Sequence, residues 1–462
     1  VVTSFFHGAS WKRLFSSISA LFSVNAMTLL GGILLPIVIA RLLGEEALGI
    51  FSSASILGLL ITTLIDWGYE TRIPVLVASL RQSPHASIQA TSSISVPAHS
   101  LRTILSDVQQ IKLFLWLIAL ILCGLWGIRF HSIRGGFSYT VLDTLWWACC
   151  IFVVWALLRA QMATYTAILR GLEDFSTIAR VENLISLGMY MLSLLCLFFT
   201  NELLPALVLF PIAECLKITV FHFYVKKEYL QEKPDNSYIT TRQEIQGVQG
   251  KYRAILAELQ RQVPFVVLQG LSILESRAGM FALAALALSQ REVGYFGAAM
   301  RFIIALRTFA GAMFNVVLPA FDAKDGNTAH NTAFLQRVLV LGGGVGFIGS
   351  LFLFLAAEPL ILLIYGTAFQ PAILLLRIVA PLFFLQTLLN IFEAFLLTQE
   401  QQHTVNRTLV LTLTVFALGV LALTTLQGSL SAENTAWATL ALSGLLCVRY
   451  GFKSAQILKR GA

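Results

Sequence analysis

Among the ionisable residues inside runs that are otherwise apolar, seven could do chemistry: Arg277, Arg301, Arg307, Arg377, Glu275, Glu393 and Asp66. A charge held at the centre of a bilayer costs about 2.5–3.5 kcal/mol, so each such group needs a partner, water or a task. A guanidinium offers a planar fork that matches phosphate or carboxylate oxygens. A carboxyl in the same setting can carry a proton or a small cation. The remaining reactive residues suggest little chemistry. The six cysteines (Cys123, Cys149, Cys150, Cys196, Cys215 and Cys447) lie in apolar runs with no CxxC pair, and read as small packing residues. The seven histidines lack ligand spacing, and no glycine-rich phosphate loop precedes a Lys-Ser/Thr pair. Neither a cofactor nor ATP hydrolysis within this chain is expected, which leaves a proton or sodium gradient as the source of energy.

The elements that would position these groups are set by composition. Of 462 residues, 57% are apolar and 12% charged, with a mean hydropathy of +0.78. A soluble protein carries about 45–50% and about 25%. Water-soluble enzymes, nucleic-acid-binding domains and disulfide scaffolds are poor readings, despite the net charge of +8. The apolar runs are continuous rather than alternating, which excludes a β-barrel. Runs near the 20 residues or so that cross a bilayer fall at 16–40, 47–66, 111–128, 141–158, 180–200, 203–224, 262–288, 293–318, 334–357, 371–397, 408–426 and 433–451. The expected fold is an all-α polytopic membrane protein of about twelve spans. The first run follows Lys12 and Arg13 without a small-residue cleavage site and reads as an uncleaved signal anchor.

Lys and Arg collect in cytoplasmic loops. With both termini placed inside, 23 of the 32 cations fall on the cytoplasmic side. Four lie in outer loops (Arg41, Arg129, Arg134, Arg291) and five within spans (Lys217, Arg277, Arg301, Arg307, Arg377). A missed span would flip every later loop and spoil that asymmetry.

Within the spans, helical spacing sorts the charges. Ala298, Arg301, Ala305, Thr308 and Ala312 form one small, polar stripe, which either packs on a neighbour or lines a wet cavity; an arginine on it favours the cavity. Arg307 lies about 120° away, so the two need not share a site. Glu275 and Arg277, two apart, point in nearly opposite directions and must find partners elsewhere. Gln386, Asn390 and Glu393 share a face, with Glu393 near the cytoplasmic end as a solvated gate residue, while Pro381 should kink that span and separate Arg377 from them. Glu214 and Lys217, three apart, read as a mutually neutralising pair. Asp66 ends a stripe of Ser52, Ser55 and Thr62, as a proton carrier or a solvated cap.

The one long polar stretch in mid-chain divides the protein into an N-terminal lobe (1–224), a cytoplasmic linker (225–261) and a C-terminal lobe (262–462). Residues 81–110 form a second polar connection, without a catalytic signature. The lobes look like repeats: ARLLGEEALGIFSSA at 40–54 and LSQREVGYFGAA at 288–299 align on Gly49 and Gly294, with Ala54 meeting Ala299. Six spans followed by a cytoplasmic crossover relate such repeats by an axis along the membrane normal, so the lobes can rock about a central cavity.

The sequence resembles the polysaccharide-transporter branch of the multidrug/oligosaccharidyl-lipid/polysaccharide exporter superfamily, the Wzx-type O-antigen and capsule flippases. The resemblance rests on PIVIARLLGEEALGIF (36–51), ITTLIDWGYETR (61–72), EVGYFGAAMR (292–301) and LLIYGTAF (362–369). It implies a V-shaped bundle in a bacterial inner membrane. It also implies that an undecaprenyl-diphosphate-linked oligosaccharide is flipped by alternating access for O-antigen, capsule or exopolysaccharide synthesis, beside a glycan polymerase and a chain-length regulator. The charges agree. Arg277, Arg301, Arg307 and Arg377 outnumber the deep acids, and a positive vestibule attracts a diphosphate. Glu275, Glu393 and Asp66 are the candidates for ion coupling or gating. Glu275 keeps open the alternative, an ion-coupled exporter of cationic drugs. A membrane glycosyltransferase would need an acidic metal site or a sizeable outer domain, and neither is visible.

Overall fold

Backbone polar groups inside a bilayer have no water to bond, so a spanning chain must close its hydrogen bonds within each segment. The computed structural model describes residues 8–70, 108–121, 139–228, 270–287, 289–317, 328–399 and 401–461, with positions 73, 74, 77, 105, 106 and 124. Regular structure among them is helical.

In the N-terminal half, α1 (Gly8–Asp66) is a pair of helices joined at Gly44, whose φ of 85° and ψ of −172° suit glycine. It is followed by α2 (Val108–Ile121), α3 (Tyr139–Gly171), α4 (Phe175–Thr200) and α5 (Leu203–Glu228). The C-terminal half holds α6 (270–286), α7 (Gln290–Val317), α8 (Thr328–Leu355) and the short α9 (Ala357–Ile364). There follow α10 (Pro371–Val379), α11 (Pro381–Thr398), α12 (Gln402–Gln427) and α13 (Ala432–Gly461). Each of the twelve expected runs coincides with helix over its described residues. The expected kink at Pro381 is the joint between α10 and α11. Helix α5 continues to Glu228, four residues into the expected linker. The rest of that linker and most of 81–110 lie outside the described residues.

Seven described stretches are long and apolar enough to cross a membrane, and one of them (31–66) holds two of the expected spans. Their outward faces suit lipid. Leu184 and Phe199 on α4 are 75% and 79% exposed, and Val340, Ile348 and Leu355 on α8 are similarly bare. Contiguous apolar faces of this size do not persist in water.

The helices form two lobes. Helices α1, α3, α4 and α5 pack on one another, as do α7, α8, α10, α11, α12 and α13. The lobes meet where α1 lies against α7, and a continuous apolar core (Leu35, Ile39, Leu48, Phe51, Val293, Phe296) crosses that junction. Four of the described cysteines are buried or half-buried, as expected of packing residues. Cys215 is exposed on α5 and so fills no core position, because it falls on the outward face of its helix.

Candidate functional site

The C-terminal lobe assembles most of the expected polar residues around one cavity of about 30 Å³, space for a water molecule or two. Its walls include Ser272 and Glu275 from α6, Arg307 from α7, Gln386, Asn390 and Glu393 from α11, and Tyr450 from α13. The shared face of Gln386, Asn390 and Glu393 is therefore real. Glu393, however, is half-buried beside Arg307 and Glu275 rather than standing as a solvated gate, because α7 and α13 close over that face. Glu275 Oε1, Gln386 Oε1 and Tyr450 Oη are buried without a hydrogen-bond partner among the described residues. Three such groups around one polar cavity are what an ordered water or a small cation would satisfy.

Arg277 lies within electrostatic reach of both Arg301 and Arg307, so three of the four expected cations converge. Arg307 is balanced by Glu275 and Glu393. Among the described residues, Arg277 and Arg301 have no carboxylate partner. Arg301 reaches across to the other lobe. Its Nη1 donates to the Gly32 carbonyl at 2.9 Å and its Nη2 to Ser52 Oγ at 3.5 Å, while the guanidinium lies 5.4 Å over the Phe51 ring. Arg301 and Arg307, which need not share a site, have different neighbours: Gly32, Ser52 and Phe51 for the first, Glu275 and Glu393 for the second. Arg377 stands apart, 3.5 Å from Glu358 in the first turn of α9, with its side chain 42% exposed. The break at Pro381 turns it away from the cavity face.

The N-terminal lobe holds a second set of charges. Lys217 donates to Glu214 Oε1 at 3.1 Å, the pair expected from their spacing. Arg159 lies 3.6 Å from the same oxygen. It sits about 120–140° around α3 from the exposed Trp147 and Val154. Its side chain is 35% exposed and turned away from those lipid-facing residues. The sequence alone counts Arg159 as a span-end cation, and only the apolar faces before it on α3 could have flagged it.

Asp66 is not a solvated cap. It is buried, accepting from Lys112 Nζ at 2.6 Å and from the Glu70 backbone N–H at 3.0 Å. Lys112 also donates to the Ala160 carbonyl at 2.7 Å.

No protein-family model matches the chain, and no curated protein matches it either. Solved structures do. An inward-facing multidrug-resistance MATE-family transporter of the MOP superfamily aligns over 96% of this chain and 98% of its own, with a TM-score of 0.65 at 15% identity. The lipid II flippase MurJ, in an inward closed conformation, aligns over 95% and 87%, with a TM-score of 0.66 at 14% identity. A MATE in a bent conformation aligns over 97% and 96%, with a TM-score of 0.53 at 16% identity. The chain thus shares its fold with these membrane transporters and with this lipid flippase.

Proposed function

We propose that the protein flips a polyprenyl-diphosphate-linked oligosaccharide from the cytoplasmic to the outer leaflet of a bacterial inner membrane by alternating access. The observation that carries this reading is the pair Arg277 and Arg301, two guanidiniums without a carboxylate counter-ion among the described residues. Charges so placed call for an anion, and a diphosphate supplies oxygens in the spacing a guanidinium fork accepts. Arg159 in the opposite lobe is already paired with Glu214, so the uncompensated positive charge is that of the C-terminal lobe. The cavity around Glu275 and Glu393 serves as the coupling site for a proton or sodium ion. A flippase of this kind would hand its cargo to a glycan polymerase and chain-length regulator outside.

The test is surface glycan display in cells carrying Arg277→Ala, Arg301→Ala or Arg307→Ala. A charge-assisted hydrogen bond contributes about 1.5–3 kcal/mol, so each loss should lower display about tenfold or more at unchanged protein level. Normal display in all three would end the reading. The alternative, an ion-coupled exporter of cationic drugs, draws on the carboxylates flanking Arg307. It expects the same variants to leave glycan untouched and to change drug susceptibility.

A further inference from the structure

Gly49 and Gly294, the two residues on which the repeats align, touch each other in the fold. A Cβ added at Gly49 would sit on the carbonyl oxygen of Gln290, and lie 3.2 Å from the Gly294 nitrogen. A Cβ added at Gly294 would sit on the carbonyl oxygen of Glu45, and lie 3.3 Å from the Gly49 nitrogen. Gln290 precedes Gly294 by four residues and Glu45 precedes Gly49 by four. The contact is therefore reciprocal: each helix lays a glycine over the carbonyl one turn before the other's glycine, as residues related by a two-fold axis must. Two helix backbones approach this closely only where no side chain stands between them.

Lobe-to-lobe polar contacts gather around the crossing. Arg291 lies 3.7 Å from Glu45, and Ser53 Oγ donates to Gln290 Oε1 at 3.0 Å. Arg41 donates to the Leu363 and Ile364 carbonyls at the end of α9, a favourable place for a cation. Arg301 clasps Gly32 and Ser52 just beneath. Leu48 and Phe51 from one lobe and Val293 and Phe296 from the other flank the glycines in the apolar core that crosses this junction, so opening must part those side chains as well as the two backbones.

We propose that the Gly49–Gly294 crossing is the outer seal of the transport cycle, shut here, and that the bare backbone at both glycines is what lets it shut. This holds whichever substrate the path carries. The cation distribution puts the crossing at the outer end, because it is built from the joints between the first and second spans and between the seventh and eighth.

The reporter is Ser53→Cys, buried beside Gln290, labelled in whole cells with a membrane-impermeant maleimide. Its rate follows the fraction of molecules open to the outside, so Gly49→Ala or Gly294→Ala should raise it about tenfold or more. Gly188→Ala, whose Cβ would meet nothing within 4 Å, should leave it unchanged. Equal rates in all three backgrounds would overturn the proposal. A second measurement needs no glycine variant in the crossing. An added Cβ at Gly297 stands 3.5 Å from Ser52 Cβ, within the span of a disulfide. Ser52→Cys/Gly297→Cys should cross-link almost completely in membranes under mild oxidation, read as the linked peptide by mass spectrometry. Failure to cross-link in folded protein would show that the lobes do not meet there.

Discussion

Lys112 has no exposed surface, and its ammonium is held by Asp66 and the Ala160 carbonyl. Its hydropathy neighbours place it at a span end, where a lysine usually lets its head group snorkel to the interface. Whether it does so depends on α3, more than forty residues away, whose Ala160 carbonyl reaches it. An ion pair taken out of water is poor evidence of net stability, yet breaking one side leaves a buried charge alone. Lys112→Met should thus cost about 3–5 kcal/mol, seen as a lowered melting temperature in detergent, whereas Lys112→Met with Asp66→Leu should recover most of the loss. A double variant no better than the single would show that the pair is not the unit. The same limit applies to Arg159. Its type and number were readable, but its placement opposite a lipid face depended on which side of α3 its neighbours cover.

Asp174 shows what a single residue contributes to a helix. It stands before α4, where its Oδ1 accepts from the Thr177 backbone N–H at 3.2 Å and from Ser176 Oγ at 3.1 Å, while Oδ2 accepts from Tyr224 Oη at 2.7 Å. Burial by itself would raise this carboxyl, but the hydrogen bonds from Tyr224, Thr177 and Ser176 outweigh it and hold the group below its ordinary value. A depressed carboxyl stabilises the fold above its unfolded value and loses that contribution as the pH falls through its folded value. Asp174→Ala should therefore cost about 1 kcal/mol near neutrality. The gap between variant and parent melting temperatures should shrink below about pH 3.9, the unfolded carboxylate value. A gap that stays constant to pH 3 would assign the loss to packing instead. Helix starts and breaks such as those at Asp174 and Pro381 are local matters, so the residues announce them. Gly44 falls in the joint between the first two runs, where a turn is expected, but the sequence offers no reason to prefer it over its neighbours; its φ of 85° identifies it as the residue that makes the turn.

The whole molecule sets a small cavity in one lobe beside the junction of two. If Glu275 couples transport to an ion, collapsing the proton or sodium gradient should halt lipid-linked oligosaccharide movement in membrane vesicles. Glu275→Gln should make whatever movement persists insensitive to that gradient. Transport indifferent to both gradients in the parent would remove Glu275 from that role. At this scale the sequence by itself determined the solvent, the all-helical class and the two-lobe plan. Each of these follows from apolar run length, cation asymmetry and helical spacing, which are properties of neighbours along the chain. Only the tertiary structure decided which charges face each other: that Arg307 sits with Glu275 and Glu393, that Arg377 turns away to Glu358, that Asp66 is buried, and that Gly49 meets Gly294. Those pairings join segments far apart in sequence, and helix periodicity says which face a residue occupies but not which helix will lie against it.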